Sequence, residues 1–103
     1  MQIQVDVPRK PISDFCHRWK VAELSVFGSV LRDDFRSDSD VDLLVSFKPD
    51  ASPTLFDMVY MQKELESIFG RKVDLVSRRG VESSRNQIRR QAIMDSAMVI
   101  YGS

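Results

Sequence analysis

The sequence predicts an α/β (α+β) protein, one sheet of three to four strands with helices packed on it. Two observations lead there. Short runs of alternating apolar and polar residues occupy positions 21–27, 41–47 and 72–77. Between and around them lie stretches whose apolar residues recur with helical spacing, closed off by Gly, Pro and Ser.

Taken in order, Ile12, Phe15, Cys16 and Trp19 fall at i, i+3, i+4 and i+7, so residues about 11–20 form an amphipathic helix. The first strand, 21–27, directs Ala22, Leu24 and Val26 to one face and Glu23 and Ser25 to the other. Gly28-Ser29 breaks it. A short helix is expected over 30–34, then a polar connection over 35–39 into the strand at 41–47. Ser52-Pro53 reads as a helix start, with Ser as N-cap and Pro in the first helical position. Met58, Met61, Leu65, Ile68 and Phe69 make the buried stripe of that helix, and Gly70 stops it. A third strand follows at 72–77. Ser84 with Gln87 suggests a capping box opening a last helix, with Ile88, Ala92 and Ile93 facing inward. Residues 97–101 fit either a closing strand or the frayed end of that helix. One domain over 1–103 is expected, with its core at about 21–101.

Apolar content of 43% and charged content of 29% describe an ordinary globular chain. A net charge of zero argues against a general nucleic-acid coat protein, which needs a basic excess, and no stable nucleic-acid binding is expected. The balance is uneven along the chain. Asp33, Asp34, Asp38, Asp40 and Asp42 crowd one segment, and seven basic residues crowd 71–90. This suits a metal-nucleotide ligand or an acidic partner, or simply two solvated faces. The single Cys16 rules out an internal disulfide and a Cys-based zinc site. With no apolar run of membrane length and no signal-like start, no membrane partner and a cytoplasmic location are expected.

Chemistry concentrates where Gly28-Ser29 is followed, ten residues later, by Asp40-Val41-Asp42. A glycine ending a strand leaves unpaired backbone N–H groups open to close approach by a phosphate, and Ser29 adds a hydroxyl. Asp40 and Asp42, two positions apart in a strand, share one face. Neighbouring carboxylates repel unless a cation lies between them, and Mg²⁺ is typically held by one or two carboxylates plus substrate phosphates. Asp74, flanked by Val73 and Leu75, joins them if its strand lies beside the 41–47 strand. Three carboxylates can hold two metal ions; alternatively Asp74 pairs with Lys72 or Arg71.

Two rival motifs fail. Asp38-x-Asp40-x-Asp42 opens like an EF-hand loop, but Leu43 stands at its Gly position and Pro49 at its Glu position. Asp-x-Asp phosphatases carry the pair after an apolar strand, whereas here the apolar run comes second. His17 reads as a surface residue, Cys16 and Trp19 as core, and the methionines as packing.

The segments Val26-Phe27-Gly28-Ser29-Val30-Leu31-Arg32 and Ser39-Asp40-Val41-Asp42-Leu43-Leu44-Val45 resemble the signature of the DNA polymerase beta-type nucleotidyltransferase superfamily, in particular its minimal nucleotidyltransferases. The likeness continues through Leu55-Phe56-Asp57 and Gly70-Arg71-Lys72-Val73-Asp74-Leu75-Val76. One departure is Asp33, where many relatives have glycine. The resemblance implies a mixed β-sheet flanked by helices, in which Gly28 and Ser29 bind the triphosphate of ATP and Arg32 steadies it. Asp40 and Asp42 would ligate two Mg²⁺ ions, with Asp74 as third carboxylate and acceptor of the proton. It further implies AMP transfer from ATP to a protein hydroxyl, a tyrosine of a HEPN ribonuclease toxin, by an antitoxin that assembles with that partner. Two alternatives remain. One is a non-catalytic antitoxin that masks its toxin through the 71–90 segment or the surface near Phe56 and Tyr60. The other is transfer to a small molecule or RNA end.

Overall fold

A computed structural model of the chain describes residues 7–28 and 40–102. In chain order the elements are α1 (Arg9–Arg18), β1 (Val21–Phe27), β2 (Val41–Phe47), α2 (Leu55–Phe69), β3 (Val73–Ser77), α3 (Arg78–Glu82), α4 (Gln87–Ser96) and β4 (Met98–Tyr101). The sheet runs β3-β2-β1-β4. β1 pairs antiparallel with both β2 and β4, while β2 and β3 are parallel. The sheet is therefore mixed, as expected, and α2 is the crossover that parallel pairing requires. The short helix expected over 30–34 and the connection over 35–39 lie outside the described residues.

One face of the sheet carries the main core. Val21, Leu24 and Val26 of β1, Val41, Leu43 and Val45 of β2, and Val73 and Leu75 of β3 pack against Ile12, Phe15 and Cys16 of α1 and Met61 and Leu65 of α2. The period-2 alternation in β2 and β3 delivers this directly. In β1 the register shifts between Val21 and Glu23. That irregularity puts Val21 with the core and leaves Ala22 exposed, against the simple alternation expected for it. The opposite face carries a smaller cluster of Phe27, Leu44, Val81 and Ile93 beneath α3 and α4. Ser25 is buried on that face.

α2 begins later than Ser52-Pro53 suggests. Thr54 is the N-cap: its Oγ1 accepts from Asp57 N–H at 3.1 Å, and Asp57 Oδ2 accepts from Thr54 N–H at 2.9 Å. A reciprocal box satisfies two donors, more than a lone Ser-Pro start can offer. Gly70 ends the helix in the left-handed conformation at φ 68°, its N–H bonded to Glu66 carbonyl. Within the helix, Met61 and Leu65 are buried and Met58, Ile68 and Phe69 pack at the margin.

α2 also covers one sheet edge. Glu66 Oε2 accepts from Val73 N–H at 3.2 Å and Gln62 Oε1 accepts from Leu75 N–H at 3.4 Å. Two residues four apart on a helix thus occupy the outward donors of β3, blunting a strand edge that would otherwise invite pairing. Glu64 ties α2 to the end of α1, accepting from Arg18 Nη1 at 2.8 Å and Trp19 Nε1 at 3.2 Å.

The C-terminal third departs most from expectation. Ser77 caps a short helix, α3, by accepting from Gly80 N–H at 3.0 Å. The last helix is capped by Asn86, whose Oδ1 accepts from Arg89 N–H at 3.0 Å. Ser84 instead accepts from Asn86 N–H at 3.3 Å, within the turn, so no Ser84–Gln87 box forms. Of the three residues expected to face inward, one does. Ile93 is buried, Ala92 is exposed, and Ile88 is 85% exposed. Residues 98–101 form β4, deciding the open choice in favour of a strand.

Candidate active site

The carboxylates lie on the face with the smaller core. Parallel pairing sets Asp42 opposite Asp74, and antiparallel pairing sets Phe27 opposite Asp42. Residues opposite each other share a face, so the two carboxylates stand side by side at the start of β2 and β3. Lys72 carbonyl accepts from Val41 N–H at 2.9 Å, which fixes this register immediately before the pair. Asp40 precedes β2 and is exposed.

Gly28 follows Phe27 and turns the chain directly beside Asp42. Its φ is +76°, and a Cβ there would run into the Asp42 carboxylate. Two requirements therefore coincide in one glycine: left-handed backbone and room for an acid. Ser29 and Arg32, the other residues expected to grip phosphates, lie outside the described residues, as does Asp33.

Asp42 is half-buried, and its carboxyl is held above the usual carboxylate range. Burial is the main cause, followed by the negative charges of Asp74 and then Asp40, while Arg89 opposes them. Both burial and like charge disfavour ionisation. A cation shared by these carboxylates would relieve both, so the donor set fits a hard divalent ion. Among the described residues no three His, Cys, Asp or Glu side chains gather into a self-sufficient metal cage. Asp40, Asp42 and Asp74, expected to share a metal, are therefore not gathered into one such group.

Arg89 has no distinguishing mark in the sequence, where it is one cation in the basic run 71–90. α4 carries it over the carboxylate face, where its charge reaches Asp42. Beside it opens a cleft of about 300 Å³ whose strand lining comes from β3, through Val76 and Ser77. α3 and α4 supply the rest, including Val81, Ser84, Arg90 and Ile93. His17 is exposed on α1, its ring 6.2 Å from that of Tyr101.

Residues 9–102 match the family model of the nucleotidyltransferase domain. The chain belongs to that family. It is similar to the protein adenylyltransferase MntA of Thermococcus cleftensis, 39% identical over 66 residues, 64% of this chain and 65% of that protein. The match thus spans slightly less than two thirds of that relative's length. A solved structure of a minimal nucleotidyltransferase is 36% identical, with a TM-score of 0.66 over 87% of this chain and 86% of that one. A toxin–antitoxin complex solved with AMP-PNP superposes with a TM-score of 0.71 over 94% of this chain and 75% of that one. At 18% identity that last likeness concerns the fold alone. The mixed sheet with flanking helices is the fold of these nucleotidyltransferase structures. Among the described residues no helix is long and apolar enough to cross a membrane.

Proposed function

We propose that this protein is a Mg²⁺-dependent nucleotidyltransferase that moves AMP from ATP to a hydroxyl of a partner protein, acting as the antitoxin of a HEPN ribonuclease toxin in the cytoplasm. One observation carries the chemistry: Asp42 and Asp74 are level partners on adjacent strands, with the Gly28 turn against Asp42. The relatives named as protein adenylyltransferases support the choice of a protein acceptor.

In this reading the Gly28 backbone, with Ser29 and Arg32, holds the triphosphate. Asp40 and Asp42, joined by Asp74, would hold Mg²⁺, which when bound would neutralise phosphate charge and favour attack at phosphorus. Asp74 takes the proton of the acceptor hydroxyl. The acceptor oxygen bonds to the α-phosphorus, the bond from that phosphorus to the β-bridging oxygen breaks, and pyrophosphate leaves with the electron pair. Positioning and charge neutralisation supply most of the rate.

The decisive test is Asp42→Asn with ATP labelled at the α-phosphate and the partner toxin. Label transfer is expected to fall by about a hundredfold to a thousandfold, with the circular dichroism spectrum unchanged. Undiminished labelling by this variant would sink the mechanism. A masking antitoxin is the second reading, favoured by one observation: Leu55, Phe56, Val59 and Tyr60 are each more than half exposed along the first turns of α2. Toxin neutralised without ATP, and without a mass gain of one AMP, would select masking over transfer.

A further inference from the structure

α2 carries two apolar faces where a surface helix needs one. Met58, Met61, Leu65 and Ile68 turn inward to the main core. Phe56, Val59 and Tyr60, with exposed Lys63, fall at i, i+3, i+4 and i+7 and share a second face. Residues two positions apart on a helix project to nearly opposite sides, so this second face looks outward. Leu55 extends it, and all four apolar residues are more than half exposed. A helix that is apolar all round is a covered helix, and a contiguous exposed patch marks an interaction site.

Its position and charge indicate what covers it. α2 packs on the main core, whereas Asp42 and Asp74 stand on the other face of the sheet. An acceptor docked on α2 would lie far from the carboxylates, but two copies joined there leave both carboxylate faces open. The charges around the patch are engaged within the chain: Arg18 with Glu64, Lys20 with Asp50, and Asp57 in the Thr54 capping box. Lys63 makes no ion pair among the described residues. Little charge is left by which to select an unlike partner.

The patch is complementary to itself. In a two-fold pair, parallel helices would set Lys63 against Lys63 and align the helix dipoles, while antiparallel helices oppose the dipoles. With the axis between Val59 and Tyr60, Val59 meets Tyr60 of the second copy and Phe56 meets its Lys63, a cation over a ring. An aromatic side chain buries about 150–250 Å², so at 77% and 61% exposure Phe56 and Tyr60, with Leu55 and Val59, offer on the order of 500 Å² per copy. Two copies thus reach about 1,000 Å², the lower bound of a specific interface.

We propose that the outer face of α2 pairs two copies of this chain, antiparallel, about a two-fold axis between Val59 and Tyr60. The proposal does not rest on the transfer reading, and it takes from the masking reading the surface on which that reading relies.

Sedimentation equilibrium of the full chain should show a weak dimer, with a Kd on the order of tens of micromolar. Tyr60→Glu, a charge at the centre, should weaken pairing by about tenfold or more, and Lys63→Glu by about threefold. When Phe56→Cys and Lys63→Cys proteins are mixed and oxidised in air, the mixed disulfide should form faster than either like one. Wild-type protein that stays monomeric at about ten times that Kd would overturn the proposal. So would Tyr60→Glu pairing as tightly as wild type, or like disulfides forming as fast as the mixed one. Loss of HEPN toxin binding in Tyr60→Glu would give the face to the toxin and overturn it too. Should circular dichroism show Tyr60→Glu unfolded, Phe56→Ser is judged by the same outcomes.

Discussion

The two faces of the sheet are written by alternate residues of the same strands, yet they are built on opposite terms. Beneath α1 and α2, Val41, Leu43 and Val45 are completely buried among aliphatic and aromatic neighbours. One residue out of phase, Asp42 stands half-buried beside a second carboxylate and is held above its ordinary range by both. The first face gains free energy from burial. The second gives some up, because a half-buried acid beside its like is costly without a cation. The strong face is what lets the strained one hold its shape.

Four measurements would break or sharpen that contrast. Leu43→Ala opens a cavity in the completely buried face and is expected to cost about 2–5 kcal/mol in denaturant unfolding. A cost near zero would mean that α1 and α2 do not anchor the site. Thr54→Ala removes the cap of the crossover helix and should cost about 1 kcal/mol by the same measurement.

Asp42→Asn should act in the opposite sense, raising the melting temperature of the metal-free protein by on the order of a few degrees. The sign follows from linkage. A carboxyl whose folded pKa is raised binds more protons when folded, so wild-type stability falls as pH rises from the unfolded value through the folded one. The advantage of Asp42→Asn should therefore shrink as pH falls through that window, which calorimetry at several pH values reads directly. Equal stability of the two proteins at neutral pH would contradict the contrast between the faces.

The smallest effect concerns Cys16, fully buried in the main core with its thiol pushed up to about 12 by burial. Iodoacetamide at mildly alkaline pH should label it only on unfolding, since the thiolate is the nucleophile. Because the unfolded thiol ionises first, stability contributed here falls as pH rises from the ordinary thiol range towards about 12.

Much of this architecture is legible in the chain alone. Strand alternation around Val41–Phe47 and Val73–Ser77 identifies the buried residues and puts the acids on the other face. Gly28 and Gly70 announce a turn and a helix end, and both have positive φ. Local competition hides the rest. Ser52-Pro53 and Thr54-x-x-Asp57 both offer a helix start within a few residues, and only the reciprocal bonds decide between them. Ser84, Asn86 and Gln87 pose the same ambiguity, and the bond from Arg89 N–H to Asn86 Oδ1 resolves it. α3 is too short to show a period. Arg89 has no local signature at all, because its importance comes from the placement of α4 over Asp42.

The pairing of Asp42 with Asp74 also bears on the order of folding. These residues meet only after the chain between them has formed α2 and crossed back to lay β3 parallel to β2. Such contacts between sequence-distant residues carry a loop-closure cost before they return any stability. Closing this particular ladder also drives two negative charges together, so electrostatic resistance is concentrated in the same step. A chain emerging during synthesis thus presents one carboxylate long before the other and has no assembled carboxylate pair until its crossover is docked.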